Sequence, residues 1–262
     1  MGGHVRRMLL LTLGVMLACA SSSRLYYLRT ELPLLDDDPQ LAVVPGPWKH
    51  PDVPIVLSNA ATIPDDLVLP ALKALMALPG AVDACDPNTR RQRRDAVEYC
   101  VSIYKTPQDW RVSWPIRSFV GEEDGCRPAY GGVDDEEFGP DVPIFGFAHN
   151  HPCGTPVSSR DLKVFPAMRL EQGGWVVVTY GATPSGKLIK DSRGELVPAW
   201  GWLATGHRDS PRFYKWNQAG RMYRWHEQRR DWELVSTCQP GTPPGPLSPR
   251  GGPPECIPAL EW

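Results

Sequence analysis

Apolar and polar positions alternate along this chain in ways that set out a short list of elements. The apolar run LVLPALKALMAL at 67–78 predicts a helix, with Asp65 or Asp66 as its N-cap, Pro79 and Gly80 as its stop, and Pro70 shortening or kinking its start. In VEYCVSIYK the apolar or aromatic side chains fall on Val97, Tyr99, Val101 and Ile103, the period of two that marks a strand. A second short strand follows in DWRVSWPI after a TPQ turn. The run VPIFGFA at 142–148 is apolar without interruption, as a buried strand is, and it delivers the chain into His149. Beyond it, DLKVFPAMRLEQGG predicts a helix ended by Gly173 and Gly174, with Pro166 in its first half, and WVVVTYGATPSGKLIKD predicts two strands around a PSG turn. The segment RFYKWNQAGRMYRWHEQRRDWELV alternates aromatic and basic residues around QAG and QRRD turns, the pattern of a β-meander.

Strands followed by a helix and further strands make an α+β domain with a mixed or antiparallel sheet. The expected division is a signal segment at 1–18, an extended tether at 19–60, a central domain at 61–205, and a small β-rich extension with a Pro/Gly-rich tail at 206–262. Composition supports this, because the 29 prolines and 24 glycines cluster near the ends and leave a compact middle. Between Gly121 and Asp141 eight acidic residues sit among glycines and prolines without periodicity, a loop whose acids form either a solvated face or a field for cations. A net charge of -2 argues against a general polyanion binder, so nucleic acid is not the expected partner. The interleaved aromatic and basic residues of the meander leave a stacking surface for single strands or sugars as an alternative to a small core.

The first residues, MGGHVRRMLLLTLGVMLACASSS, place Arg6 and Arg7 ahead of a short apolar run and then small residues, the layout of a secretory signal. Met16, Leu17, Ala18 and Cys19 resemble a bacterial lipobox, which implies a lipid on Cys19 and a membrane-anchored protein of the cell envelope; cleavage without a lipid is the alternative. Six further cysteines in an oxidising compartment invite disulfides. The favoured bridge is Cys238 to Cys256, which closes QPGTPPGPLSPRGGPPE, a segment with too little apolar surface to hold itself. Cys153 is left as a disulfide partner, for instance of Cys126, or as a free thiol able to ligate a metal.

The chemistry concentrates in AHNHPCGTPVSSRDL at 148–162. Residues two apart on a strand project to the same side, so His149 and His151 can reach one ion. A catalytic zinc takes three protein ligands and keeps one open position, and Asp161, returned by the intervening loop, is the third candidate. The set His149, His151, Pro152, Ser158 and Asp161 resembles the H-x-H-P, spacer, S-x-x-D signature of the JAMM (MPN+) metallopeptidases. HNHPCG is similar to the RadC-like branch and VSSRDL to the ubiquitin-chain-cleaving members. Six residues separate His151 from Ser158 where the family has seven.

That resemblance implies a JAMM-like mixed sheet with flanking helices over roughly 60–205. It also implies zinc held by His149, His151 and Asp161, oxyanion stabilisation by Ser158, and a glutamate as proton shuttle. Glu98 is the best match for the shuttle, ahead of Glu122, Glu123, Glu136 and Glu137. The function implied is cleavage of a peptide or isopeptide bond in a protein or peptide substrate by metal-activated water; the alternative is a noncatalytic JAMM-like interaction module or envelope scaffold. Ser158 and Asp161 also have the spacing of a helix capping box, and the two roles are compatible. Asn150 is read as steadying the turn.

Overall fold

The computed structural model of the protein describes residues 43–89, 91–117, 126, 128–129, 131–171, 174–243, 245 and 251–259. The signal segment and Cys19 lie outside the described residues. Fourteen strands and one α-helix are described: β1 (Val43–Pro45), β2 (Val56–Leu57), α1 (Asp65–Ala77), β3 (Tyr99–Lys105), β4 (Asp109–Val112), β5 (Ile116–Arg117), β6 (Gly132–Asp134), β7 (Ile144–Asn150), β8 (Ala167–Arg169), β9 (Trp175–Val177), β10 (Trp200–His207), β11 (Ser210–Trp216), β12 (Arg221–His226), β13 (Asp231–Gln239) and β14 (Glu255–Pro258). The fold is therefore mostly β, and α+β only loosely.

Ten strands form one mixed sheet in the order β14-β13-β12-β11-β10-β7-β3-β4-β2, with β5 also on β3. Only β7 and β10 run parallel within it. Two small pairs, β1 with β6 and β8 with β9, complete the described strands. The meander is not set apart from the middle of the chain, because β11 pairs along its whole length with β10. Its aromatics do not form a core of their own: Phe213, Trp225 and Trp232 join the cluster that packs on α1, and Tyr214 and Trp216 join the one on the other face, while the Lys215 ammonium lies 4.6–5.9 Å from the ring centres of Trp200, Tyr223 and Trp232. Part of the expected tether is also drawn into the fold, since β1 pairs with β6 and β2 with β4.

Side-chain alternation gives the sheet two unlike faces. On one, Val101, Ile103, Ala148, Trp202 and Ala204 pack against the buried side of α1. On the other, Leu203 and Trp216 pack against Val157, Leu162 and Phe165 from the loop after β7. Close approach on this second face depends on Gly201, where a Cβ would lie 2.2 Å from the Trp216 indole.

Three expectations are corrected. The helix α1 is capped by the backbone of Pro64 and not by an aspartate side chain; Asp65 and Asp66 occupy its first turn, and Asp65 Oδ1 accepts the Trp232 indole N–H at 2.7 Å. The helix expected from Asp161 is a single 3-10 turn, Asp161–Lys163, followed by β8. Pro166 is the cause, since it forces Phe165 out of the helical region and withholds the N–H that the next turn needs. The disulfides are Cys85–Cys153, Cys100–Cys126 and Cys238–Cys256, so Cys153 is neither bonded to Cys126 nor a free thiol for a metal. Ala84 N–H donates to Pro152 O at 3.0 Å, which brings Cys85 beside Cys153 instead. Three disulfides place the protein in an oxidising compartment, extracellular or in the cell envelope.

The acidic stretch is structural where it is described. Asp135 receives the Tyr104 hydroxyl at 2.6 Å and the Arg111 guanidinium at 3.0 Å, Glu137 also meets Arg111, and Glu136 meets Lys49. Glu136 and Glu137 are therefore engaged away from the histidines, while Glu122 and Glu123 lie outside the described residues.

Candidate metal centre

His149 is the next-to-last residue of β7 and His151 the first beyond it, and both project to the face opposite α1. Their Nε2 atoms lie 3.2 Å apart. The Asp161 carboxylate completes the group, with Oδ1 3.4 Å from His149 Nε2 and Oδ2 3.4 Å from His151 Nε2. Two donors bonded at about 2.0–2.1 Å to one tetrahedral ion lie about 3.4 Å apart; the histidine pair is close to such an edge, and one ligand atom from each of the three residues lies within 4.8 Å of the others. The group could hold a metal ion. The shorter loop between His151 and Ser158 thus still returns Asp161 to the histidines.

Each ligand is held from behind. The backbone N–H of Ser158 donates to Asp161 Oδ2 at 2.7 Å, and the Asp161 N–H donates to Ser158 Oγ at 3.2 Å, a reciprocal i,i+3 pair that fixes the carboxylate at the mouth of the 3-10 turn. His151 Nδ1 lies 3.1 Å from both the carbonyl and the hydroxyl of Thr155. A proton on Nδ1, donated to that carbonyl, leaves the Nε2 lone pair for a metal. The Trp216 indole stands edge-on to His149, with ring centres 6.1 Å apart, and closes the side away from solvent.

Electrostatics couple the group tightly. Burial disfavours the charged form of His151, but the hydrogen bond and charge of Asp161, with the charge of Glu98, push this imidazole up to about 9. Burial acts against the Asp161 carboxylate too, yet the charge and hydrogen bonds of both histidines hold it well below the ordinary carboxyl range. A metal ion satisfies the same carboxylate without the proton on His151, so uptake of metal must release that proton.

Glu98 immediately precedes β3 and is partly buried. It lines the same cleft as His151 and Asp161, and also a small recess of about 40 Å³ beside His149. Burial raises its carboxyl above the ordinary value, opposed by the charges of His151 and His149. Its placement comes from Asn150, which points away from the two histidines. Asn150 Oδ1 accepts the Tyr99 N–H at 2.8 Å, and Nδ2 donates to Val97 O at 3.1 Å and Ala81 O at 2.7 Å. One side chain therefore fastens the residues on both sides of Glu98, a larger role than steadying a turn. Sequence reasoning also passed over Thr155. A polar residue on the buried face of a strand must find partners, and that signal could have singled out Asn150.

No model of a known protein family matches the chain, and neither a characterised protein nor a solved structure shows significant similarity to it.

Proposed function

We propose that this protein is a zinc-dependent hydrolase of the JAMM type that cleaves an amide bond, peptide or isopeptide, outside the cytosol. The observation that carries the reading is the convergence of the two Nε2 atoms, 3.2 Å apart, with the Asp161 carboxylate, whose two oxygens lie 3.4 Å from one each, in a cleft that Glu98 also lines. Two imidazoles and one carboxylate form a borderline-soft set suited to zinc, and three protein ligands leave a position for water or substrate.

When bound, zinc supplies the Lewis acidity that makes water a nucleophile near neutral pH. His149, His151 and Asp161 hold it, and Thr155 and Ser158 keep two of those ligands from rotating. Glu98 accepts the proton from the attacking water and returns it to the departing amine; a carboxyl raised by burial suits both steps. The Ser158 hydroxyl accepts from Asp161 N–H through its oxygen and keeps its own proton for the developing oxyanion, a contribution of about 3 kcal/mol.

The test compares wild type with Glu98→Gln for zinc content and for cleavage of a peptide library. One zinc per chain in both is expected, with turnover reduced about 10²–10⁴-fold in the variant. Equal cleavage by the two proteins removes Glu98 from the mechanism, and failure of wild type to hold zinc removes the hydrolase reading.

A further inference from the structure

Next to the metal centre lies a cleft of about 440 Å³ bounded by two chain segments, 155–161 on one side and 251–254 on the other. The second segment is Gly-Gly-Pro-Pro, from the tail whose composition gives it no core of its own. Its position is nonetheless fixed. Cys238 and Cys256 are directly opposed on β13 and β14 and bonded, closing the loop at its base. Within the loop, Gly252 N–H donates to Thr242 O at 2.8 Å. The two limbs touch so closely that a Cβ on Gly241 would lie 2.0 Å from Pro253 O and one on Gly252 would lie 2.5 Å from Thr242 Oγ1. Ser159 sits at this crossing, where its hydroxyl donates to Gly252 O at 2.7 Å and accepts the Gly241 N–H at 2.9 Å. Ser159 lies between Ser158 and the ligand Asp161, so the tail is tied to the loop that supplies the third metal ligand.

The walls include Pro156 and Val157 from one segment and Pro253 and Pro254 from the other. Prolines offer carbonyl acceptors and ring faces but no N–H. The ligand that complements such walls is an extended chain with its own N–H donors and alternating side chains, and four residues of wall span about 14 Å at full extension.

We propose that the disulfide-closed C-terminal loop is the substrate wall of the metal centre, and that the cleft between 155–161 and 251–254 takes an extended polypeptide segment of about four residues. This inference rests on the metal reading above. Ser159 acts as a positioning residue that sets the wall against the ligand loop.

The experiment measures zinc content, then the affinity of the zinc-loaded protein for acetohydroxamic acid and for two alanine peptide series of one to four residues. One series carries the hydroxamate at its C-terminus and the other at its N-terminus through a malonyl group, so both sides of the metal are sampled. Wild type, Ser159→Ala and the double variant Cys238→Ser/Cys256→Ser are compared. In wild type, affinity should rise at least tenfold with length in one series. Both variants should keep the zinc and the acetohydroxamate affinity of wild type while losing most of that gain. Should the double variant fail to hold zinc, Ser159→Ala decides. Equal gains in wild type and Ser159→Ala, or no gain with length in wild type, overturn the wall. Wild type that holds no zinc or does not bind acetohydroxamate overturns the metal reading, and this inference with it.

Discussion

Asn150 stands between the two histidines in sequence and on the other face of the sheet in space. Its three hydrogen bonds satisfy one backbone N–H and two carbonyls. Asn150→Ala leaves these buried groups without partners, and each orphaned group costs about 1–3 kcal/mol. A loss of several kcal/mol in urea-unfolding free energy is expected; an unchanged unfolding midpoint would deny the clamp. The three metal-binding candidates were legible because local rules place them: the period of two puts His149 and His151 on one side, and the i,i+3 spacing turns Asp161 back through Ser158. Asn150 was not, because its partners lie 51, 53 and 69 residues away in sequence, and no local rule reaches that far.

Among the elements, β4 and the turn after β6 are joined by a buried charge cluster. Arg111 is 6% exposed and donates to Asp109 at 2.6 and 3.0 Å and to Asp135 at 3.0 Å, fastening the small β1–β6 pair to the main sheet. Arg111→Met leaves two buried carboxylates uncompensated, and a cost of about 3–5 kcal/mol is expected in chemical denaturation. Burial works against the Asp135 carboxylate, but hydrogen bonds from Tyr104, from the backbone of Glu137 and Phe138, and from Arg111 hold it below the ordinary range. A carboxyl lower in the folded than in the unfolded protein stabilises the fold above its unfolded value of about 3.9 and ceases to do so as pH falls through its folded value. Asp135→Asn should therefore be less stable than wild type at neutral pH, and the difference should shrink on acidification below about pH 4, read from urea midpoints across pH. The acidic stretch looked featureless in sequence because its partners, Tyr104 and Arg111, lie on other strands. The meander was legible because each of its strands pairs with its neighbour in sequence. The helix expected after Asp161 was misjudged where one proline outweighed an otherwise favourable pattern.

At the scale of the whole molecule, three bridges span 18, 26 and 68 residues. Loops of that size are stabilised by roughly 3–4.5 kcal/mol each in the chain-entropy account. Full reduction should lower the thermal unfolding midpoint by many degrees and abolish any metal binding in the same transition; an unchanged midpoint after reduction would show the bridges to be dispensable. Two of them have a more particular bearing. Cys153 follows His151 by two residues, and Cys100 follows Glu98 by two, so each bridge secures a different half of the candidate site. A nascent chain in a reducing cytosol has neither half secured. Maturation is thereby tied to geography: both halves of the candidate site are secured only once the chain has reached an oxidising compartment, whatever chemistry the site performs there.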